Sequence, residues 1–349
     1  MEMYAKALDL LAEGRKVSMG TVIDAQGSTP QKAGSQALVD DSGRLWGTLG
    51  GGLVEAQGLE TMRTALREQS ATVLEVKLDE AYSRTAGPIC GGAMRIFCDP
   101  QVHRREAAFR QALTALAARD RGILITRGLT GGGPVDTEWV AEETIASRHD
   151  FPRAEQLQQS LTEERPCLIL SEAGEEVYVE PVFAQPRLLI VGGGHVGQAV
   201  AFQGHLLGFD VTVVDDRESF TEPSLFPEDV KAVQGDIKQL VQEFPQDDDT
   251  YIVLVSKGHR PDAEALEACI HSQVRYLGMI GSRRKIRFLR KHFLQDGLAT
   301  TEEWDRLHSP IGYEIGAVSV SEIGVSIAAQ LVAARRNPAS LRRAETKSL

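Results

Sequence analysis

The chain has 349 residues, of which 42% are hydrophobic and 25% are charged, so it is long and apolar enough to form two globular cores. Its formal net charge of −11 argues against nucleic acid or an anionic membrane surface as the partner. Charges at Glu2, Lys6 and Asp9 are atypical of a signal peptide and no run of about 20 apolar residues occurs, which predicts a cytoplasmic protein.

The first half of the chain predicts a mixed α/β domain. Apolar residues at helical spacing alternate with short stretches rich in β-forming residues, and Gly, Pro and Asp clusters separate them. The short Pro-containing segment 184–186 predicts a domain boundary, so the first domain spans residues 1–184. The predicted helices are 2–13, 53–68 and 103–119, and the predicted strands are 17–25, 36–39, 44–49, 71–78, 93–98, 122–126, 166–170 and 177–182.

The second half, residues 185–349, predicts a Rossmann-like domain. Strands and helices alternate regularly here, which is typical of βαβ units and a parallel sheet. The predicted strands are 188–191, 211–214, 231–233, 250–255 and 275–279, and the predicted helices are 196–207, 237–244, 263–271, 283–294 and 322–335.

A glycine-rich turn follows the first strand of this second half. In Gly192-Gly-Gly194-His195-Val-Gly197, the three spaced glycines suit a tight bend, close approach of a pyrophosphate and close packing of the helix. Asp215 follows 18 residues after Gly197, where a carboxylate binds ribose hydroxyls and favours NAD over NADP, although Arg217 nearby favours the opposite. The alternative is that the glycines only form the tight turn that this fold requires and bind no nucleotide.

Two further segments predict contacts with a ligand at the same sheet edge. Gly281, Ser282 and Arg283 follow a strand and begin a helix, where a bound phosphate would offset the cost of cations near the helix start. The alternative is a solvated basic helix face. His259 follows the fourth strand and is either an acid/base group, a cofactor contact or a structural histidine.

Two loops of the first half carry candidate residues. Gly50-Gly51-Gly52 precedes a helix whose first turn holds Glu55, and it predicts either an anion site or a packing feature. Cys90 is followed by Gly91 and Gly92. This setting predicts either an exposed thiol with a lowered pKa or an inert thiol in an ordinary loop. The other three cysteines have no metal-ligand spacing.

The ordered set of motifs resembles the xanthine dehydrogenase accessory proteins of the XdhC/CoxI type over nearly the whole chain. Residues 129–148 lie outside the resemblance. The motifs that carry it are Gly27-Ser-Thr-Pro30, Gly47-Thr-Leu-Gly-Gly-Gly52 with Glu55, Cys90-Gly-Gly92, Gly192-Gly-Gly-His-Val-Gly197, Asp215-Asp-Arg217, Gly258-His259 with Asp262, Gly278-Met-Ile-Gly-Ser-Arg-Arg-Lys285 and Ser309-Pro-Ile-Gly312.

The resemblance implies an accessory protein rather than a stand-alone enzyme. It implies a homodimeric chaperone that binds molybdenum cofactor, as molybdopterin or its dinucleotide form. The family helps to exchange a molybdenum oxo ligand for a sulfido ligand with a cysteine desulfurase, and delivers the cofactor to a molybdenum hydroxylase. By this resemblance Cys90 is a molybdenum ligand or a sulfur relay, because sulfur is a soft ligand.

Two other functions remain open from the residues. One is an NAD-dependent oxidoreductase that uses the Gly192 turn, Asp215 and His259, and that would be indifferent to the loss of Cys90. The other is a regulatory module that binds a nucleotide and a partner enzyme but neither pterin nor sulfur.

Overall fold

The computed structural model describes residues 1–78, 91–129, 133–148, 154–256 and 260–341. The chain folds as two compact units, Met1–Ala184 and Gln185–Leu349, here called unit 1 and unit 2. Among the described helices, none is both long enough and apolar enough to cross a membrane. Cys90 and His259, which the sequence marks as functional candidates, lie outside the described residues.

Unit 1 contains two antiparallel sheets. Their strand orders are β3-β2-β1-β5-β4 and β7-β6-β9-β8. The strands are β1 (Val17–Gln26), β2 (Gln36–Asp40), β3 (Leu45–Gly47), β4 (Thr72–Lys77), β5 (Ala93–Asp99), β6 (Gly122–Arg127), β7 (Asp136–Ala141), β8 (Cys167–Leu170) and β9 (Glu176–Val182). The helices are α1 (Glu2–Ala12), α2 (Gly52–Glu68), α3 (Glu106–Ala118), α4 (Glu142–Ile145) and α5 (Ala154–Glu163).

Helix α2 covers one face of the first sheet. Its residues Val54 and Met62 are fully buried against a cluster that includes Val22 and Ile96 of β1 and β5. Gly20 of β1 makes this contact close, because a Cβ there would lie 2.7 Å from the sulfur of Met62. The amino terminus of α2, which carries the Gly50 motif, is thereby fixed against the sheet.

A buried polar cluster joins the first helix of unit 1 to its last strand. The hydroxyl of Tyr4 donates to the carboxylate of Glu180, and Gln36 donates to both. Arg105 and Asp99, each almost fully buried, form an ion pair at 3.4 Å, and Arg105 also donates to threonine side chains of β6 and β7. Because unpaired buried polar groups are costly, these contacts specify how α1 and both sheets pack.

Unit 2 is a doubly wound α/β domain with a five-stranded parallel sheet of order β12-β11-β10-β13-β14. The strands are β10 (Arg187–Val191), β11 (Asp210–Asp215), β12 (Lys231–Gln234), β13 (Thr250–Leu254) and β14 (Tyr276–Met279). The helices are α6 (His195–Leu206), α7 (Ile237–Glu243), α8 (Arg260–Cys269), α9 (Arg283–Gln295), α10 (Thr301–Asp305) and α11 (Val320–Arg336).

Alternate residues of the central strands supply two separate cores. Leu189 and Val191 of β10 belong to the cluster that contains residues of α7, α8 and α9, whereas Leu188 and Ile190 belong to the cluster on the opposite face with residues of α6 and α11. Strands buried on both faces explain the continuous apolar runs in the sequence. The predicted fold class, a mixed α/β half followed by a Rossmann-like parallel sheet, is confirmed.

The main difference from the predicted elements lies in residues 136–163. Strand β7 pairs with β6 in antiparallel register, and helices α4 and α5 follow it, whereas the sequence predicted no element there. The polar strand Asp136–Ala141 has only two buried residues, Thr137 and Val140, so its apolar alternation is too weak to predict a strand.

Candidate functional site

Three glycine motifs of unit 1 come into contact. Gly27, directly after β1, lies against the backbone before β5, because a Cβ at Gly27 would be 3.2 Å from the carbonyl oxygen of Gly91. A Cβ at Gly92 would be 2.4 Å from the carbonyl oxygen of Ser28. The same loop touches the third motif, since a Cβ at Gly50 would be 2.9 Å from Pro30. At Gly92 the approach to the backbone is so close that only glycine permits it.

The Gly50–Gly52 segment forms an open helix start. All three glycines have positive φ angles, of +126°, +69° and +57°, and a Cβ would meet nothing within 4 Å at Gly51 or Gly52. No side chain caps the helix that follows. Glu55 accepts hydrogen bonds from the Thr48 hydroxyl at 2.6 Å and the Leu49 amide at 3.2 Å, so its observed contacts stabilise the preceding turn. The backbone amides of such a turn are suited to an anion.

A cavity of about 380 Å³ opens where Gly27 lies against the backbone before β5. Its lining includes Gly91, Gly92 and the segment Lys77-Leu78 at the end of β4. The amide of Leu78 donates to the carbonyl of Gly92 at 2.8 Å. Cys90 is covalently adjacent to Gly91. The exposed ammonium of Lys77 has no hydrogen-bond or ion-pair partner within the described part of the chain.

Lys77 lines this cavity, although it lies in none of the motifs that the sequence marks as functional. Its only sequence signal is its place at the end of a strand, 13 residues before Cys90. An exposed ammonium beside a cavity favours a phosphate or another small anion.

In unit 2 the glycine turn joins β10 to α6 as predicted. A Cβ at Gly197 would lie 1.8 Å from the carbonyl oxygen of Gly192, so Gly197 is required for the close approach of helix and turn. Gly192 has φ +112°. Gly194 is the N-cap of α6 and has open space around it, and His195 begins the helix at the surface. The helix start is therefore accessible at Gly194.

Asp215, at the end of β11, is bonded within the protein. One carboxylate oxygen accepts from the Gly193 amide at 2.8 Å and from Arg217 Nη2 at 2.9 Å, and the other accepts from the Arg217 amide and Nε. Burial alone raises the pKa of Asp215, but these hydrogen bonds outweigh it and hold the pKa below its usual value. A ribose at this position would have to share or replace these donors.

A buried cluster lies beside the turn at the carboxyl edge of the sheet. Asp262, fully buried, accepts hydrogen bonds from Ser256 and Lys285. Ser256 also touches the turn, since a Cβ at Gly192 would be 2.7 Å from the Cα atom of Ser256. The contact lies between β10 and β13, where the order of the strands reverses and where ligands of such sheets bind.

The Gly281 motif begins helix α9 at the same edge. Ser282 is the N-cap and accepts from the Lys285 amide at 3.3 Å. A Cβ at Gly281 would lie 3.2 Å from Cδ of Lys285, so the lysine stem passes over this glycine on its way to Asp262. Arg283, the first residue of the helix, is exposed, and its guanidinium has no hydrogen-bond or ion-pair partner among the described residues.

The described cysteines are poor candidates for chemistry. Burial raises the pKa of Cys98 and of Cys269 to about 12, and it raises the pKa of the half-buried Cys167 as well. In the ranges that the structure covers, no group of three or more His, Cys, Asp or Glu side chains could hold a metal ion. Cys90, the predicted sulfur ligand, lies outside those ranges, so its role stays a prediction.

Family models match both halves of the chain. The model described as the XdhC Rossmann domain matches residues 188–331, and the model of the XdhC and CoxI family matches residues 10–77. The two matches contain all the glycine motifs except the one that includes Gly91 and Gly92, which follows β4.

Relatives of known name cover almost the whole chain at low identity. The uncharacterized protein YqeB of Escherichia coli is 25% identical over 97% of the chain, which spans 47% of that protein's length. A probable xanthine dehydrogenase subunit of Bacillus subtilis is 22% identical, with 97% of this chain and 99% of that protein covered. The molybdenum cofactor insertion chaperone PaoD of Escherichia coli is 24% identical, with 94% and 86% covered.

A solved structure has the same fold. The crystal structure of a xanthine dehydrogenase from Bacillus halodurans superposes with a TM-score of 0.73 at 21% identity, covering 99% of this chain and 96% of that one.

Proposed function

Because the chain belongs to the XdhC and CoxI family, we propose that it is a chaperone that binds molybdenum cofactor and delivers it to a molybdenum hydroxylase of the xanthine dehydrogenase or aldehyde oxidase type. The cofactor is then cargo rather than a resident group. The observation that carries the proposal is that the Gly27 and Gly91 motifs line one cavity and that the Gly50 motif contacts the same loop at Pro30. The relation to an insertion chaperone supports it.

The residues around this cavity fit the chemistry of such a cargo. Molybdopterin carries a phosphate, which suits the ammonium of Lys77 at the cavity; the helix start at Gly51 and Gly52, outside the cavity lining, offers a second position for an anion. Cys90 precedes Gly91, which lines the cavity, and its thiol is a soft ligand of the kind that suits molybdenum. Cys90 thus serves as molybdenum ligand or as sulfur relay in the exchange of an oxo for a sulfido ligand.

The finer parts of the proposal concern partners and unit 2. A cysteine desulfurase supplies the sulfur, the molybdenum hydroxylase receives the cofactor, and the chaperone acts in the cytoplasm as a homodimer. Unit 2 binds the nucleotide part of a dinucleotide cofactor, or NAD, at the open start of α6 near Gly194.

Pterin content tests the proposal directly. Wild-type protein and Cys90→Ala are purified anaerobically from a host that makes molybdenum cofactor, and pterin is read as fluorescence after oxidative release. Cys167→Ala is the matched control, because Cys167 is a thiol of unit 1 that does not line the cavity.

We expect about one pterin per chain in the wild type and the control, and a clear loss in Cys90→Ala. Equal pterin in all three proteins would retain the chaperone but limit Cys90 to sulfur transfer. Absence of pterin from all three, with NAD(H) bound instead, would favour the oxidoreductase.

A further inference from the structure

Helix α9 is a strongly basic element in an acidic protein. Residues 283–295 contain six Lys or Arg residues and no Asp or Glu, whereas the whole chain carries a net charge of −11. The apolar face of the helix, Ile286, Leu289 and Phe293, is buried in the core of unit 2. The opposite face of the helix is turned to solvent.

An aromatic side chain lies in the middle of this exposed face. The side chain of Phe288 is 64% exposed. Arg284, Arg287 and Lys291, at positions −4, −1 and +3 relative to it, are also exposed, and helical geometry places Arg284 and Lys291 on the same face as Phe288. We call these four residues the α9 patch.

The cationic side chains of the α9 patch make few contacts with the other described residues. The side chain of Arg287 donates at 3.3 Å to the backbone carbonyl of Arg283, and the side chains of Arg284 and Lys291 have no hydrogen bond or ion pair with any other described residue. Arg284 also lies in the first helical turn, where a positive charge opposes the helix dipole. Within the described residues these contacts give little stabilisation in return for an exposed Phe288, and the like charges of Arg287 and Lys291 at i, i+4 repel each other.

We propose that the α9 patch docks an acidic surface of the client molybdenum hydroxylase, where an apolar pocket rimmed by carboxylates receives Phe288. Aromatic residues and arginine are the residues most enriched at the energetic centres of protein interfaces. The surrounding cations would pair with the carboxylate rim and accelerate encounter. This inference rests on the proposed chaperone function, because it assigns the surface to the recipient of the cargo.

Two other polyanionic partners fit the patch less well. A membrane-surface helix inserts a continuous apolar face, but that face of α9 is already buried and only Phe288 remains to insert. Nucleic acid and anionic lipid both present extended negative charge, which the net charge of −11 repels. A carboxylate-rimmed pocket on a protein is local and matches a patch of three cations.

The test measures binding of the cofactor-loaded chaperone to the purified apo form of a xanthine dehydrogenase-type hydroxylase from the same genome, by biolayer interferometry. Phe288→Ala removes the aromatic side chain, and the combined Arg284→Glu, Arg287→Glu and Lys291→Glu variant reverses the cations. The control reverses three exposed arginines of unit 1, Arg67, Arg104 and Arg110, and so makes the same change in net charge.

We expect Phe288→Ala to weaken binding about tenfold and the triple variant about a hundredfold, mostly through the association rate, while the control stays within about threefold of the wild type. Raising the salt from about 0.05 M to 0.3 M should slow association of the wild type and not of the triple variant. Melting curves confirm that each variant is folded.

Three results would overturn the inference. The first two are unchanged binding in both patch variants and no binding of the client by the wild type. The third is binding of the wild type to vesicles of anionic lipid, or to a single-stranded oligonucleotide, that is lost in the triple variant. Pterin content separates this failure from failure of the proposed function. Pterin bound to all variants with unaffected docking rejects only the α9 patch, whereas a wild type without pterin rejects the chaperone itself.

Discussion

The carboxylate of Asp215 accepts a hydrogen bond from the backbone amide of Gly193 at 2.8 Å and so ties the end of β11 to the glycine turn after β10. We predict that Asp215→Asn destabilises this region by roughly 1–3 kcal/mol, because charged hydrogen bonds to Gly193 and Arg217 are lost at a buried site. Native-state hydrogen exchange of peptides from the turn measures the change. Asp216→Asn should change the exchange much less, because its carboxylate is exposed and its ion pair with Arg217, at 3.5 Å, is screened by solvent.

The pH dependence of this contact follows from the lowered pKa of Asp215. A carboxyl group with a lowered folded pKa adds stability above its ordinary pKa, and that stability is lost as the pH falls through the folded value. The difference between wild type and Asp215→Asn should therefore be full at neutral pH and shrink in acid. A difference that grows in acid would contradict the assignment.

Two glycines of the same turn should respond oppositely to alanine. Gly197→Ala places a Cβ 1.8 Å from the carbonyl of Gly192 and should disrupt unit 2, whereas Gly194→Ala meets no atom within 4 Å and should fold normally. If the open helix start binds a nucleotide, Gly194→Ala should weaken that binding at least about tenfold by covering the amides. Melting curves and titration with NAD and with molybdopterin dinucleotide provide both measurements. Normal ligand affinity in a folded Gly194→Ala protein would place the ligand elsewhere.

Glu180 should make unit 1 less stable as the pH rises. Burial raises the pKa of Glu180 by more than the Tyr4 hydrogen bond, the amino terminus and Arg105 lower it. A carboxyl group with a raised folded pKa contributes its full stability below its ordinary pKa, and the contribution is lost as the pH rises through the folded value.

We therefore predict that Glu180→Gln, which keeps an acceptor for Tyr4 and Gln36, equals the wild type in acid and exceeds it in stability at neutral pH. Glu180→Ala should cost about 1–3 kcal/mol, because both donors lose their acceptor. Hydrogen exchange of β9 peptides between pH 5 and 8 measures this, with the exposed Glu172→Gln as the control. A Glu180→Gln protein that is less stable at neutral pH would refute the prediction.

Lys77 should contribute to retention of an anionic cargo. We predict that Lys77→Gln lowers the affinity for molybdopterin about tenfold, because an ammonium at the cavity is replaced by a neutral amide on a similar stem. Anaerobic isothermal titration calorimetry measures the affinity. Lys16→Gln, an exposed lysine of unit 1 outside the cavity lining, is the control, and equal loss in both variants would exclude a specific role for Lys77.

The cysteines should differ sharply in their reactivity. With a pKa of about 12, only about one in ten thousand Cys98 or Cys269 thiols is ionised at pH 8. We expect iodoacetamide to label Cys90 first and to leave Cys98 and Cys269 unlabelled until the protein unfolds, as read by peptide mass spectrometry. Labelling of Cys98 at the rate of Cys90 would contradict this order.

The sequence predicts the fold of unit 2 well, because each strand and helix has a strong local pattern and the chain order alone implies a parallel sheet. It predicts β7 poorly, because Asp136–Ala141 gains its stability from pairing with β6 rather than from its own apolar alternation. Local patterns do not encode that pairing.

The candidate site is predictable as separate motifs but not as an assembly. Each glycine motif is visible in the sequence, yet the contact of Gly27 with Gly91 depends on pairing between β1 and β5, which lie far apart in the chain. The partners of Asp215 are not predictable from the sequence either, since an acidic residue at a strand end does not reveal that Arg217 and Gly193 already donate hydrogen bonds to it. The roles of Cys90 and His259 remain predictions.

The link from Tyr4 to Glu180 also limits where the gene can be cut. A fragment that begins at the family match, residue 10, or that ends before β9 keeps one side of this buried contact and loses the other. Either fragment would leave a polar group stranded in an apolar interior and expose the packing surface of the missing element. Unit 1 is thus the smallest piece of its half that can be exchanged between relatives as a module, and chimeras should be joined near residue 184 rather than inside it.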